Sequence, residues 1–258
     1  MNPLAEKYLR KSALPTIFCP GCGDGTVLSA MLRVIEATGG LQKYAMVGGI
    51  GCSGWIPVYV NTDVIHSLHG RAIPVATGLA LSMPEKNVVV FSGDGDCSGI
   101  GGNHLIHAAR RNVNLTVIMI NNYIYGMTGG QVSPTTPAMG KTKTSPYGNG
   151  EQPFDVPALV IAAGATFVAR EIAVTPKRIE RSIAAAVAHG GFSFVEIMTQ
   201  CPTQAGRNIF GTGSPTDIYH SLKKSAVSKA DAPLEAGQFR VGVLHHDTEK
   251  KPYIPSQC

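Results

Sequence analysis

Residues 16–25 read TIFCPGCGDG, with Cys19 and Cys22 two residues apart among Pro and Gly. Such a pair can form a disulfide, half a zinc site, a redox dithiol or two corners of an iron–sulfur cluster. The N-terminus, MNPLAEKYLRKSALP, has no apolar core of signal-peptide length, so a reducing cytoplasm is expected and a disulfide is disfavoured. A zinc ribbon needs a second closely spaced pair, and the other cysteines (Cys52, Cys97, Cys201, Cys258) are single. A thioredoxin-type dithiol would follow a strand in a much smaller unit and stays as the alternative. A cubane cluster asks for four thiolates in loops whose small residues let backbone N–H groups reach the sulfurs. Cys19, Cys22, Cys52 and Cys201 all sit in Gly/Pro/Ser surroundings.

A second group of residues points to phosphate chemistry. GDGDC at 93–97 follows the apolar run VVVF, and Gly-rich backbone between a strand and a helix presents free N–H groups to a phosphate. The stretch fails the dinucleotide fingerprint, because Ser98 occupies its last glycine position. MGKT at 139–142 imitates the end of a P-loop, but Thr135 stands at the first glycine position and no strand precedes it. The next apolar run, LTVIMI, ends in Asn121 and Asn122. Side by side at the carboxyl edge of a sheet, Asp94 and Asn122 would be hard oxygen ligands suited to a Mg²⁺ that also takes phosphate oxygens. The plainer reading makes each a loop cap.

The elements that must position these residues follow from hydrophobic pattern. Continuous apolar runs at Tyr44–Val47, Val88–Phe91, Leu115–Ile120, Thr166–Ala169 and Phe192–Ile197 predict strands of a parallel sheet covered on both faces. Helical patterns lie between them at Gly25–Ala37, Ala72–Ser82, Asn103–Arg110, Val156–Ala163 and Pro176–His189, with Thr175 as N-cap. The alternation predicts a doubly wound, mostly parallel α/β domain over residues 1–205, and a C-terminal extension, 206–258, packing on this domain or on a partner. Residues 126–153 form a long Gly/Pro/Thr-rich loop, of a length that is usually functional or disordered.

Of the 258 residues 44% are hydrophobic and only 15% charged, which predicts apolar surface covered by a partner. The net charge of +5 comes from scattered short pairs such as Lys223–Lys224 and Lys250–Lys251, so a nucleic-acid stripe is not expected. No apolar run approaches the roughly 18 residues of a membrane span.

GDG followed downstream by NN resembles the diphosphate-binding signature of thiamine diphosphate enzymes. The likeness extends through FCPGCGDG, GGIGCSGW, HSLHGRAIPVATGLAL, GDGDCSGIGGNHLIHAARRN, NNYIYGMTGGQVSPTTP and TQCPT, in that order. Over about residues 10–210 the chain resembles the β subunit of 2-oxoacid:ferredoxin oxidoreductases, nearest the 2-oxoglutarate branch. The resemblance implies a thiamine diphosphate-binding fold, with Mg²⁺ held by the side chains of Asp94 and Asn122 and the carbonyl of Ile124. The cofactor would meet Gly93, Gly95, Asp96, Gly126 and Met127, with Ile50, Gly51, Cys52 and Ser53 on the thiamine side and His69 near the diphosphate. Cys19, Cys22, Cys52 and Cys201 would hold a four-iron four-sulfur cluster, leaving Cys97 and Cys258 over.

The implied reaction is coenzyme A-dependent oxidative decarboxylation of a 2-oxoacid, 2-oxoglutarate to succinyl-CoA first, with electrons passing singly to ferredoxin. No catalytic residue is expected on this chain, because the glutamate that activates thiamine would belong to an α subunit. An α₂β₂ or larger assembly, with further ferredoxin-like subunits, is implied. Trp55 departs from the small or basic residue often found there in the 2-oxoglutarate branch. The distal carboxylate would then need Arg71 or an α-subunit group. Pyruvate, branched-chain and aryl 2-oxoacids are the rival substrates, and a non-redox thiamine decarboxylase or carboligase the rival chemistry.

Overall fold

The computed structural model describes residues 2–253, so Cys258 lies outside the described residues. A short helix α1 (Pro3–Tyr8) and the longer α2 (Asp24–Ala37) precede strand β1 (Tyr44–Gly48). Then come β2 (Val64–His66), α3 (Ala72–Ser82), β3 (Asn87–Gly93), α4 (Gly102–Arg111) and β4 (Leu115–Asn121). The long loop carries a small hairpin, β5 (Ile124–Tyr125) and β6 (Gln131–Val132). It is followed by α5 (Val156–Ala163), β7 (Phe167–Ile172), α6 (Pro176–Ala188) and β8 (Phe192–Met198). The C-terminal segment adds α7 (Pro215–Ser225), β9 (Ala226–Val227), β10 (Phe239–Arg240) and β11 (Gly242–His246).

Seven strands form one sheet in the order β11-β7-β8-β4-β3-β1-β2, parallel throughout except β11, which runs antiparallel to β7. Every residue of β1, β4, β7 and β8 is buried, as the continuous apolar runs require when helices cover both faces. On one face Phe91, Ile118, Ile120 and Val195 pack with Val27, Met31 and Ile35 of α2 and with Ile179 and Ile183 of α6. On the other, Val88, Val90, Val117 and Phe194 pack with Ile73 and Ala76 of α3, Leu105 of α4 and Val160 of α5. The expected α/β doubly wound class is what is found.

The sheet extends beyond the five expected strands at both margins. β2, β11, the β5–β6 hairpin and the parallel β9–β10 pair carry no such pattern, and predicted Thr166–Ala169 is a longer strand, β7. Thr175 does stand before Pro176 at the start of α6, but it makes no side-chain cap. Its Oγ1 instead donates to the Ile172 carbonyl at 3.0 Å, closing the turn behind β7.

Parallel register brings four strand ends to one edge. Phe91 of β3 pairs with Gly48 of β1, Gly93 with Ile120 of β4, and Asn121 of β4 with Met198 of β8. The segments leaving those strands, 49–55, 94–100, 122–127 and 199–206, therefore converge, each carrying residues singled out in the sequence.

Candidate functional site

One cleft at this edge is lined by Ile50, Gly51, Cys52 and Ser53 after β1, Gly93–Asp96 after β3, and Asn122 and Ile124–Thr128 after β4. Asp24 and His69 complete its wall. All the residues expected to meet the cofactor or a divalent cation thus share one cavity. Asp24, Tyr125 and Thr128 line it too and were not foreseen.

Gly95 opens a widened helical turn, Gly95–Ile100, that leads into α4. Its first N–H groups have no intrahelical partners, which favours an anion there. A side chain at Gly95 is excluded by packing: a Cβ would lie 2.3 Å from Cε1 of Tyr125, whose hydroxyl donates to the Gly95 carbonyl at 2.9 Å.

The two aspartates of GDGDC have different duties. Asp94 is buried, and its Oδ2 accepts from Ser133 Oγ and Thr135 Oγ1, both at 2.6 Å. Burial pushes its carboxyl up to about 6, against those hydroxyls and the N–H groups of Asp94 and Asn122. A carboxylate so desolvated gains most from a bound cation. Asp96, by contrast, is consumed by the protein: Oδ1 pairs with His69 Nδ1 at 2.5 Å and accepts from Gly70 N at 2.6 Å, and Oδ2 accepts from Ser92 Oγ at 2.5 Å. Its carboxylate fixes the turn carrying His69. His69 keeps Nε2 free of that bond, with its ring partly exposed at the cleft.

The two asparagines also divide. Asn122 lines the cleft, and its Oδ1 accepts from Ile124 N at 3.1 Å. Asn121 faces a separate cavity behind it, where Nδ2 donates to Glu196 Oε1 at 2.8 Å. Between them and Ile124, Tyr123 holds φ +68°, an unusual conformation for a bulky residue that turns the chain so that both Asn122 and Ile124 reach the cleft.

The cysteines gather beside this cleft. Cys22 N–H donates to the Cys19 carbonyl at 3.0 Å across a turn whose Gly21 has φ +79°, a region closed to most side chains. Gly23 N–H donates to the Gln200 carbonyl at 3.2 Å, tying that turn to the segment of Cys201. Burial, then neighbouring acidic groups including one another, push the Cys22, Cys52 and Cys201 thiols up, Cys52 to about 12; Cys19 acts on Cys52 and Cys201. Cys52 itself lines the cleft, and a Cβ on Gly126 would lie 3.6 Å from Cys201 Sγ. Cys97 is buried away from the cleft wall.

Among the described residues no three His, Cys, Asp or Glu side chains converge closely enough to hold a single metal ion. A cubane spreads its ligands over the corners of a cluster. Four thiols on glycine- and proline-rich loops suit that wider geometry. Asp24, at the start of α2, is fully buried beside them. No donor of normal geometry reaches either carboxylate oxygen, and burial pushes the group up to about 6, eased by the Cys22 thiol.

Trp55 and Arg71 stand outside the cleft lining. The Trp55 ring lies 5.7 Å from that of His66 and 6.4 Å from that of Tyr59, packed against the core. Arg71 Nη1 donates to the carbonyls of Gly70 and Ile100, both at 3.4 Å. Among the described lining residues there is no Lys or Arg.

Residues 49–197 match the family described as "Thiamine pyrophosphate enzyme, C-terminal TPP binding domain". The chain is 48% identical over 249 residues to the "2-oxoglutarate synthase subunit KorB" of Archaeoglobus fulgidus, covering 94% of this chain and 91% of that one. It is 46% identical over 187 residues to "2-oxoacid:ferredoxin oxidoreductase 2, subunit beta" of Aeropyrum pernix, covering 72% and 60%. The chain belongs to the 2-oxoacid:ferredoxin oxidoreductase β-subunit family. Among solved structures, the 2-oxoglutarate:ferredoxin oxidoreductase of Magnetococcus marinus, described with 2-oxoglutarate, coenzyme A and succinyl-CoA bound, superposes with a TM-score of 0.87 at 35% identity. That match covers 97% of this chain and 87% of the other. The β-subunit fold and its thiamine diphosphate-binding domain are thus as the sequence motifs implied. No helix among the described residues is long and apolar enough to cross a membrane.

Proposed function

We propose that this chain is the thiamine diphosphate-binding β subunit of a cytoplasmic 2-oxoglutarate:ferredoxin oxidoreductase, converting 2-oxoglutarate and coenzyme A to succinyl-CoA and CO₂ while reducing ferredoxin. One observation carries the reading: Cys52 lines the same cleft as the GDG turn while sharing its electrostatic surroundings with Cys19 and Cys201. A plain decarboxylase has no use for that adjacency. When bound, thiamine diphosphate would supply the carbanion for attack on the 2-oxo carbon, and a four-iron four-sulfur cluster a one-electron acceptor.

The chain's own residues bind and orient. Asp94, Asn122 and the Ile124 carbonyl would hold Mg²⁺, and the buried carboxylate of Asp94 fits that task. The N–H groups opening at Gly95 and Asp96, with the backbone of Gly93, Gly126 and Met127, would receive the diphosphate, His69 standing at its side. Ile50, Gly51 and Ser53 would line the thiamine ring, and Cys19, Cys22, Cys52 and Cys201 would hold the cluster. No residue here is assigned to thiamine activation, which we assign to a glutamate of an α subunit. Residues 206–253 would then be an extension on this domain, in keeping with β11 pairing with β7 and with Pro215 packed on the Cys19–Cys22 turn.

A second reading, the same chemistry on pyruvate or on a branched-chain or aryl 2-oxoacid, is favoured by the lack of Lys and Arg among the described cleft residues. Anaerobic coexpression with the α subunit tests both. Iron, acid-labile sulfide and thiamine should copurify, and 2-oxoglutarate should outpace pyruvate, 2-oxoisovalerate and an aryl 2-oxoacid. Equal rates would move the assignment to the second reading, and an iron-free complex would leave a non-redox thiamine enzyme. The β chain alone should not turn over.

A further inference from the structure

The long loop folds a tight turn, Ser133–Thr136, against both strand ends of the cleft. Thr136 N–H donates to the Ser133 carbonyl at 3.0 Å, and Ser133 N–H to Thr136 Oγ1 at 2.9 Å. All three hydroxyl residues are buried. Ser133 Oγ and Thr135 Oγ1 both donate to Oδ2 of Asp94, after β3. Thr136 Oγ1 donates to the Tyr123 carbonyl at 2.6 Å, after β4. Tyr123 is the residue at φ +68° between Asn122 and Ile124. The turn is itself anchored from outside, Asn149 Nδ2 donating to the Thr136 carbonyl at 2.8 Å and Phe154 N–H to the Pro134 carbonyl at 2.8 Å.

We propose that Ser133, Thr135 and Thr136 are the positioning residues of the cation site, one turn setting the Asp94 carboxylate and the Asn122–Ile124 backbone relative to each other. The proposal rests on the reading of Asp94, Asn122 and Ile124 as cation ligands. Two hydroxyl donors occupy Oδ2, so a cation at this site would take Asp94 through one oxygen, Oδ1, and not through both. That restraint selects Mg²⁺, which demands near-octahedral geometry, over Ca²⁺, which accepts both oxygens of a carboxylate. The unfavourable φ of Tyr123 is held by the Thr136 hydroxyl on its carbonyl, and the loop that carries the turn thereby supports the groups that would hold the cation.

The test uses the full chain with its α subunit, stripped of cofactor. Thiamine diphosphate retained in equilibrium dialysis is measured while Mg²⁺ or Ca²⁺ is titrated. Thr135→Val and Ser133→Ala should each raise the Mg²⁺ concentration for half-saturation about ten-fold, the usual scale for loss of an outer-shell partner. They should raise that for Ca²⁺ less, so the Mg²⁺ preference narrows, and Thr135→Ser should restore it. A merely structural role would lower thermal stability without changing the ratio of the two cations. Ser133→Ala removes one oxygen and carries the test should the valine variant not fold. Variants matching the unaltered complex within two-fold for both cations would overturn the proposal. An unaltered complex that binds thiamine diphosphate without any divalent cation would overturn the cation-site reading itself.

Discussion

Replacing Asp94 by Asn should make the cofactor-free chain more stable while removing its cation-dependent cofactor binding. The carboxyl stands at about 6 in the folded chain against 3.8 ordinarily, so keeping it ionised above pH 7 costs folding roughly 3 kcal/mol. Because the folded value is the higher one, this cost is absent below about pH 4, grows up to pH 6 and is complete above it. Asn keeps the shape and lets an amide oxygen receive the Ser133 and Thr135 hydroxyls. Its amide nitrogen meets N–H groups that formerly stabilised the carboxylate, which returns about 1–2 kcal/mol. The net gain at pH 8 is therefore about 1–2 kcal/mol, or a melting midpoint several degrees higher in a chain of this size. Calorimetry at pH 5 and pH 8, with and without Mg²⁺ and thiamine diphosphate, reads both effects. The gain should shrink at pH 5, and the ligand-induced rise seen in the unaltered protein should vanish. A variant less stable than the parent at pH 8 without ligand would refute the reasoning.

Three further outcomes follow from other contacts. Cys52→Ser should lose iron and thiamine diphosphate together, whereas Cys97→Ser, altering a buried thiol off the cleft wall, should keep both; elemental analysis and thiamine assay decide. Gly95→Ala must displace the Tyr125 ring or the turn itself, so thiamine diphosphate affinity should fall at least about ten-fold by calorimetric titration, the worth of one charge-assisted N–H bond. His189 is held below its ordinary value by burial and by His246. It therefore favours the folded state above about pH 6.5 and loses that contribution as pH falls through its folded value. His189→Gln should flatten the acid limb of a denaturant-midpoint profile between pH 7 and pH 5, and an unchanged limb would rule the histidine out as its cause.

The central strands were legible because burial on both faces leaves no polar alternation to confuse them. β2 and β11 were not, being short edge strands: β2 is half-exposed and β11 mixes His and Gly with its apolar residues. The motifs located the cleft but could not tell which polar group turns inward. Nothing in GDGDC says that Asp96 will be spent on His69, Gly70 and Ser92 while Asp94 stays beside the cleft. Adjacent residues leaving a strand point to opposite sides, so Asn121 and Asn122 separate, and Asn122, the expected ligand, is the one that lines the cleft. Asp24 and the Ser133–Thr136 turn were hidden for a different reason. The turn meets Asp94 about forty residues back along the chain, and Asp24 reaches the cleft wall only once the loops have folded around it.

Both margins of the large sheet are poor templates for another chain. β2 offers three residues, and β11 is interrupted by a register shift between Val243 and His245. Blunted borders of this kind discourage strand-to-strand annealing. Loops and helix flanks are thereby favoured over strand edges as the surfaces on which companions of this subunit would dock. Growth of a continuous inter-chain sheet is disfavoured at either end.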